Sequence, residues 1–179
     1  MRAFSFITQN PGKVAELQAK AHEFELEIVH VNASYPELQA DTLEEVVRHG
    51  LSYCKEKFPP LFIIEDSGLF IDDLHGFPGP YSSYVNKTIG NSGVVKLIGE
   101  GRPARFESAI GSYCRDFKLF HGRVEGRIVS SRGHRGFGFD PIFEYEGRTF
   151  AEMTVDEKNA LSHRSKAAEL FLEWASTII

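Results

Sequence analysis

The segment 42–64 constrains the fold of this chain more than any other part of the sequence. Thr42 and Glu45 have the spacing of a capping box, and apolar residues then recur on one helical face as far as residue 58. A double proline ends that helix, and the apolar run 61–64 follows it. A short, continuously apolar run of this kind is typical of a strand buried on both faces. A helix that leads into a buried strand predicts an α/β core.

The beginning of the chain shows the same alternation of strand and helix. Residues 3–7 have the composition of a strand, and Asn10 and Pro11 suit the N-cap and the first position of a helix. A second strand is predicted at 27–31. The order strand, helix, strand, helix, strand implies mostly parallel pairing in this part of the chain.

Residues 105–129 have a different pattern, in which charged residues alternate with apolar or small ones. This period of two is typical of strands with one face in water. A turn at Arg115 and Asp116 makes the segment an antiparallel hairpin, and a last helix is predicted from about Ser162. The chain is therefore predicted to be α/β, with one long, twisted, mixed sheet flanked by helices.

Composition excludes several classes of protein. The length of 179 residues, with 42% hydrophobic residues, suits one globular domain, 1–179. The net charge of −5 argues against a general nucleic-acid binder but permits a small anionic ligand held by a few cations. Cys54 and Cys114, without a CxxC motif, predict thiols in a reducing cytosol rather than disulfides or a zinc site. With no signal peptide and no apolar run of about 18 residues, we expect a cytoplasmic protein without a membrane segment.

The turn 8–13, of sequence Thr-Gln-Asn-Pro-Gly-Lys, is the first candidate site. A helix N-terminus attracts anions, Lys13 adds a positive charge, and Gly12 allows the backbone to approach a ligand closely. The GxxxxGK[ST] motif of a phosphate-binding loop is absent. Taken alone, the stretch is explained more simply as an ordinary capped helix with a surface lysine.

The second candidate is Glu65-Asp66-Ser67-Gly68, directly after the predicted buried strand. Ligands of α/β proteins bind at the carboxyl ends of parallel strands, and adjacent carboxylates there suit a hard divalent cation. With Mg²⁺ bound, one carboxylate could orient or deprotonate a water molecule for attack on phosphorus. A pair of acids in a solvated turn is the alternative, and the position after a strand favours a functional site.

Two glycine-containing motifs are less specific, and the first of them leaves two interpretations open. The segment 136–141, Gly-Phe-Gly-Phe-Asp-Pro, could present a ring on which a planar base stacks. It could equally be a turn that places both phenylalanines in the core. The segment 79–82, Gly-Pro-Tyr-Ser, reads as a rigid turn with a packed tyrosine.

The start of the last predicted helix carries two cationic residue types, His163 and Arg164, with Lys158 shortly before it. The helix dipole disfavours cations in the first turn. A bound anion or an electron-rich carbonyl would explain their presence. Two solvent-facing side chains with a small energetic cost are the alternative.

These five motifs, in this order from Thr8 to Arg164, resemble the inosine triphosphate pyrophosphatase (Ham1-like) family. The resemblance implies an elongated mixed sheet with two lobes and a deep central cleft, and a homodimer. It also implies Mg²⁺-dependent hydrolysis of XTP, ITP and dITP to the monophosphate and pyrophosphate, which removes deaminated purines from the nucleotide pool.

The resemblance assigns roles to residues by motif position. Asp66 corresponds to the proton acceptor, and Glu37, Glu65 and Asp66 to the metal site. Arg164 and backbone N–H groups are expected to donate to the 6-keto oxygen of the base. The expected substrate-binding residues are Thr8, Gln9, Asn10, Pro11, Gly12, Lys13, Ser67, Phe137, Gly138, Phe139, Asp140, Lys158, His163 and Arg164.

Two departures from the family pattern are visible. Several relatives carry a lysine on the helix after the segment around Glu37, and here Arg48 either replaces it or the contact is missing. Phe139 can stack on a base but offers no hydrogen bond.

Other functions are less consistent with the motifs. A Maf-like pyrophosphatase lacks the Ser-His-Arg and 136–141 motifs, and the glutamate-rich helix of Nudix hydrolases has no counterpart here. The alternative from another class is a purine-triphosphate-binding regulator without turnover, in which the carboxylate pair would be dispensable.

Overall fold

The computed structural model describes residues 3–36 and 38–178. Seven strands form one sheet: β1 Ala3–Ile7, β2 Glu27–Val31, β3 Phe62–Ile71, β4 Arg102–Tyr113, β5 Phe117–Ile128, β6 Phe143–Tyr145 and β7 Arg148–Thr149. Their spatial order is β2-β1-β3-β4-β5-β6-β7. β1 pairs in parallel with β2 and β3, and the pairings from β3 to β7 are antiparallel. The predicted mixed sheet is confirmed, and parallel pairing holds for the first three strands.

Six α-helices surround the described part of the sheet: α1 Pro11–Ala21, α2 Leu43–Lys55, α3 Ser82–Thr88, α4 Gly90–Ile98, α5 Val155–Leu161 and α6 His163–Ile178. The predicted helix starts are confirmed. The side chain of Asn10 caps α1, and the capping box of Thr42 and Glu45 is formed at the start of α2. Short 3₁₀ turns precede or follow several of these elements. None of the described helices is both long and apolar enough to cross a membrane.

Strand β3 is longer than its apolar sequence indicated. The expected strand ended at residue 64, but β3 continues to Ile71, so Glu65 and Asp66 lie inside the strand and not after it. Its parallel pairing with β1 ends at Ile63, whereas its antiparallel pairing with β4 continues to Ile71. The ladder to β4 provides the backbone hydrogen bonds that keep polar residues in the strand. The two acids still lie just beyond the parallel half of the sheet, where a ligand was expected.

The hairpin of β4 and β5 forms the long axis of the sheet. Tyr113 pairs with Phe117, so the turn falls at 114–116, as predicted. Cys114 lies in this turn and Cys54 is buried on α2, and both are free thiols.

Three hydrophobic clusters lie along the long strands. Alternation along β1 places Phe4 and Phe6 in a cluster with α1 and α6, and Ile7 in a cluster with α2 on the opposite face. The third cluster, which we call the distal core, lies farther along β3–β5. It includes Leu69, Phe106 and residues of α3, α4 and the segment 139–153. The clusters at the two ends of the long strands are the cores of two lobes.

Gly122 on β5 allows α6 to pack directly on the sheet. A Cβ at this position would overlap the carbonyl of His163 and the backbone nitrogen of Ala167. Both atoms belong to the first turns of α6, which therefore cannot approach β5 so closely if residue 122 has a side chain.

We predict that Gly122→Ala lowers the free energy of unfolding by about 2 kcal/mol or more, because a rigid backbone segment must move away from the sheet. Urea denaturation of the purified variant measures the change. His121→Ala, at an exposed position on the opposite face of β5, is the control and should change stability by less than about 0.5 kcal/mol. Equal effects of the two substitutions would contradict the packing described here.

Candidate active site

A cleft of about 540 Å³ lies between the two lobes. It is lined by the start of α1, the middle of β3, one side of α3, the loop before β6, α5 and the start of α6. The structure brings nearly all the predicted site residues together here: Thr8, Gln9, Asn10, Pro11, Lys13, Glu65, Asp66, Ser67, Phe137, Gly138, Phe139, Asp140, Lys158, His163 and Arg164. Glu37 lies outside the described residues.

The start of α1 is organised around Asn10. Its Oδ1 accepts hydrogen bonds from the backbone nitrogens of Gly12 and Lys13, at 2.9 and 3.3 Å, and its own backbone nitrogen donates to Thr8 Oγ1 at 3.1 Å. Two of the N–H groups that were predicted to bind an anion therefore already donate to the side chain of Asn10, the N-cap residue. Gly12 does not line the cleft, but an added Cβ would lie 3.0 Å from the ring of Phe137. Its role in this structure is to let the loop carrying Phe137 contact α1.

Glu65 is fully buried at the bottom of the cleft. Its Oε2 lies 2.7 Å from Lys13 Nζ, and its Oε1 accepts hydrogen bonds from Ser108 Oγ at 2.6 Å and Arg164 Nε at 3.2 Å. Burial opposes ionisation, but Arg164 and Lys13 outweigh it and hold the pKa of Glu65 well below its ordinary value. Glu65 is therefore a buried carboxylate whose Oε1 accepts two hydrogen bonds and whose Oε2 is held by its ion pair with Lys13.

Glu16, on α1, links two cations of the cleft, Lys158 and Arg164. Its carboxylate accepts from Lys158 Nζ at 3.1 Å and from Arg164 Nη1 at 2.5 Å. Glu16 was not among the site residues predicted from the sequence. Glu16 follows Lys13 by three positions on a helix, so the two share a face, and that spacing was the available signal.

Alternating charges thus form a continuous chain through the cleft. Lys158 Nζ also lies 2.7 Å from Asp140 Oδ2, which completes the series. The ionic chain, as we call it, consists of Lys13, Glu65, Arg164, Glu16, Lys158 and Asp140, in this order.

The cations at the start of α6 do not face solvent, so the alternative of two solvent-facing side chains is wrong. Ser162 caps the helix, accepting from the backbone nitrogen of Ser165 at 3.1 Å. Arg164 is buried and finds its anions in Glu65 and Glu16 of the same chain, not in solvent. Burial, reinforced by the charge of Arg164, lowers the pKa of His163 well below its ordinary value, so His163 is neutral. Its ring stacks on Phe106 with centroids 4.6 Å apart.

The loop 136–139 combines the two interpretations of its sequence. Phe139 is 3% exposed and belongs to the distal core, whereas Phe137 is 37% exposed at the cleft. Lys158 lies over the Phe137 ring, 4.8 Å from its centroid. Asp140 accepts from the backbone nitrogen of Phe137 at 2.8 Å, and Asn91 Nδ2 donates to the carbonyl of Gly138 at 3.2 Å. One ring is thus available for stacking and the other anchors the loop.

Asp140 has an electrostatic environment that differs from that of Glu65. Burial raises the pKa of Asp140 above its ordinary value, although Lys158 and the N–H group of Phe137 oppose this shift. The carboxyl group nevertheless lies at hydrogen-bond distance from both donors. It holds the loop and Lys158 in a fixed relation to each other.

Some candidate residues lie elsewhere or act differently. Arg48 is 54% exposed on α2, pairs with Glu44 and does not line the cleft. The turn 79–82 is rigid as predicted, since Ser82 Oγ donates to the Gly79 carbonyl at 2.7 Å and accepts from the backbone nitrogen of Leu69 at 2.8 Å. Tyr81, expected to be packed, is exposed.

The fold and the cleft together define a class of protein. One cleft contains an exposed aromatic ring, several cations and the partly exposed carboxylate of Asp66, features that are typical of an α/β nucleotide-binding enzyme. The chain belongs to the Ham1 family, whose model matches residues 4–174.

Relatives of known name and known structure agree with this assignment. The chain is 54% identical to a dITP/XTP pyrophosphatase of Pyrococcus horikoshii, with 94% of each chain covered, and 49% identical to one of Thermococcus kodakarensis, with 95% of each covered. Its structure is similar to that of the Staphylococcus aureus Ham1 protein, with a TM-score of 0.83, 25% identity and 99% of each chain covered. A HAM1 protein from Coxiella burnetii gives a TM-score of 0.81 at 28% identity, with 99% of this chain and 100% of that chain covered.

We predict that Glu65→Gln lowers the free energy of unfolding by about 3 kcal/mol or more, because Arg164 and Lys13 lose a buried anion. Since the pKa of Glu65 is lowered by folding, the stabilisation is complete above pH 4.5, the ordinary glutamate value, and is lost progressively at lower pH. The difference between wild type and variant, measured by urea denaturation, should therefore shrink on acidification.

Glu44→Gln is the matched control, because Glu44 forms an exposed ion pair with Arg48. Exposed pairs contribute little, so its effect should stay below about 1 kcal/mol. A loss for Glu65→Gln as small as this, or one that does not vary with pH, would show that the ionic chain does not stabilise the fold.

Proposed function

We propose that this chain hydrolyses the non-canonical purine nucleoside triphosphates XTP, ITP and dITP to the nucleoside monophosphate and pyrophosphate. The observation that carries the proposal is the cleft itself, in which Asp66 lies among the start of α1, the cations of the ionic chain and the ring of Phe137. The dITP/XTP pyrophosphatases to which the chain is 49–54% identical support the choice of substrate.

The base is proposed to stack on Phe137, the exposed ring of the cleft. Arg164 has five N–H donors, and three of its nitrogens donate to Glu65, Glu16 and Ser67, one to each. Remaining donors of Arg164 and backbone N–H groups of the loop can meet a 6-keto oxygen. Adenine presents an amino group at that position and would leave these buried donors unpaired, which such sites penalise by about 10⁴-fold or more.

Asp66 is proposed as the proton acceptor. It is partly exposed at the cleft, in contrast to the buried Glu65 beside it. Asp66 would take a proton from the water molecule whose oxygen bonds to the α-phosphorus, while the bond from that phosphorus to the bridging oxygen breaks and pyrophosphate leaves. Thr8, Asn10 and Lys13, at the start of α1, are proposed to position the phosphates.

The described residues can hold a magnesium ion that is bound partly by the protein and partly by the phosphates of the nucleotide. Within 3–36 and 38–178, no three histidine, cysteine or acidic side chains converge on a metal position. Mg²⁺ is commonly bound by one or two carboxylates and by substrate phosphates. Because both oxygens of Glu65 are held by Lys13, Ser108 and Arg164, we propose Asp66 as its carboxylate ligand, with Glu65 fixing the cations around it and Glu37 as the second candidate. When bound, the ion would neutralise phosphate charge and polarise the P–O bonds.

The assembly and extent of the enzyme are proposals from the family resemblance. We propose one catalytic domain, 1–179, acting as a homodimer in the cytoplasm on a small nucleotide substrate. Neither a nucleic acid nor a membrane is a proposed partner.

The function is tested with purified protein, Mg²⁺ and a panel of XTP, ITP, dITP, GTP and ATP, with pyrophosphate as the readout. We expect pyrophosphate from the first three, and a kcat/KM for ATP lower by about 10⁴-fold. GTP shares the 6-keto oxygen, so its turnover reports on rejection of the 2-amino group. Orthophosphate in place of pyrophosphate would contradict the proposed bond cleavage, and tight binding without turnover would favour a regulator.

We predict that Asp66→Asn lowers kcat for ITP by at least about 100-fold, because an amide cannot accept the proton of the attacking water. Its melting temperature should stay near that of wild type, since Asp66 is only partly buried. Asp73→Asn is the control, because Asp73 forms a surface pair with Arg102 at 3.4 Å and lies outside the cleft. Near-normal turnover by Asp66→Asn would remove this residue from the mechanism.

A further inference from the structure

Helix α3 forms a wall of the cleft to which no role has been given above. Ser83, Asn86 and Lys87 line the cleft, and their spacing places them on one face of the helix. Val85, on another face, is buried in the distal core. The orientation of α3 is thus fixed by packing, and the face that carries Lys87 is directed to the cleft.

Both ends of this wall are attached to parts of the site. At the start of α3, Ser82 is hydrogen-bonded to the backbone of Leu69 on β3, three residues after Asp66. After it, Asn91 on α4 is hydrogen-bonded to Gly138, next to Phe137. The wall therefore extends between the strand with the proposed proton acceptor and the loop with the proposed base platform.

Lys87 differs from the other cations of the cleft. Lys13, Lys158 and Arg164 each pair with carboxylates of the ionic chain. Lys87 forms no ion pair with any carboxylate among the described residues, and its side chain is exposed.

The balance of charges in the cleft makes the unpaired state of Lys87 important. The ionic chain contains three lysine and arginine side chains and three carboxylates, and His163 is neutral. A triphosphate entering the cleft therefore meets cations whose charge is already balanced, apart from Lys87. An unpaired ammonium group on a flexible stem is suited to a phosphate group.

A simpler explanation for Lys87 is its place in the last turn of α3, where the helix dipole favours a cation. Lys96 has the same place in α4 and does not line the cleft. Both lysines can therefore interact with a helix dipole, but only Lys87 can contact a ligand in the cleft. Lys96 is the matched control for Lys87.

We propose that Lys87 binds the phosphate chain of the substrate and contributes to its affinity rather than to the chemical step. A sugar or a base would not require a cation here, because both are neutral and the Phe137 ring already has Lys158 and Arg164 beside it. The choice of a nucleotide as the ligand rests on the proposed function, but anion binding by this wall does not.

The test compares Lys87→Gln with Lys96→Gln in two measurements. In the first, steady-state turnover of ITP with Mg²⁺, Lys87→Gln should raise KM by about tenfold, the effect of losing one charge-assisted hydrogen bond, with kcat changed less than twofold. Lys96→Gln should leave both constants unchanged, and Lys87→Arg should restore KM in large part. An unchanged KM in Lys87→Gln would overturn the proposal.

The second measurement is calorimetric binding of inorganic tripolyphosphate, with inosine as the uncharged probe. Lys87→Gln should weaken tripolyphosphate binding by about tenfold and leave inosine binding unchanged. Equal weakening of both probes would indicate a structural effect on the cleft and would also overturn the proposal. If wild type binds tripolyphosphate through Lys87 but does not turn over ITP, the proposed function fails while the role of Lys87 stands.

Discussion

The buried pair of Glu65 and Arg164 is the interaction on which the rest of this structure depends. Both side chains are almost completely withdrawn from water, and such charges are tolerated only when they are paired and hydrogen-bonded. Meeting that requirement brings together residues of β3, α1, α5, α6 and the loop before β6, which are joined by the ionic chain. The electrostatic demand of one buried carboxylate thus fixes the geometry of the cleft.

Local signals explain why much of the fold could be predicted. The caps of α1 and α2, the buried run before Glu65 and the period of two in β4 and β5 depend on residues close in sequence. The length of β3 could not be predicted in this way, because its polar half is held by pairing with β4, about 40 residues later along the chain.

The sequence predicted which residues line the candidate site but not which of their side chains pair with each other. Fifteen of the expected residues line one cleft, yet one partner of Arg164 is Glu16, 148 positions away. No local pattern reports such a contact. Packing likewise decided between Phe137 and Phe139, which are equivalent in sequence, because only one of the two rings can fill the distal core.

Strands β3, β4 and β5 pass without interruption from one lobe to the other. The lobes are therefore not two bodies joined by a flexible linker, and the cleft can widen only if a hydrogen-bonded ribbon bends or changes its twist. Such a deformation is elastic and is distributed over many backbone bonds. Asp66 lies near the middle of this ribbon, paired with Ala109, so a bend distributed along the strands would move it less than the residues at either end. A change in the width of the cleft would therefore move its walls more than the residue proposed to take the proton.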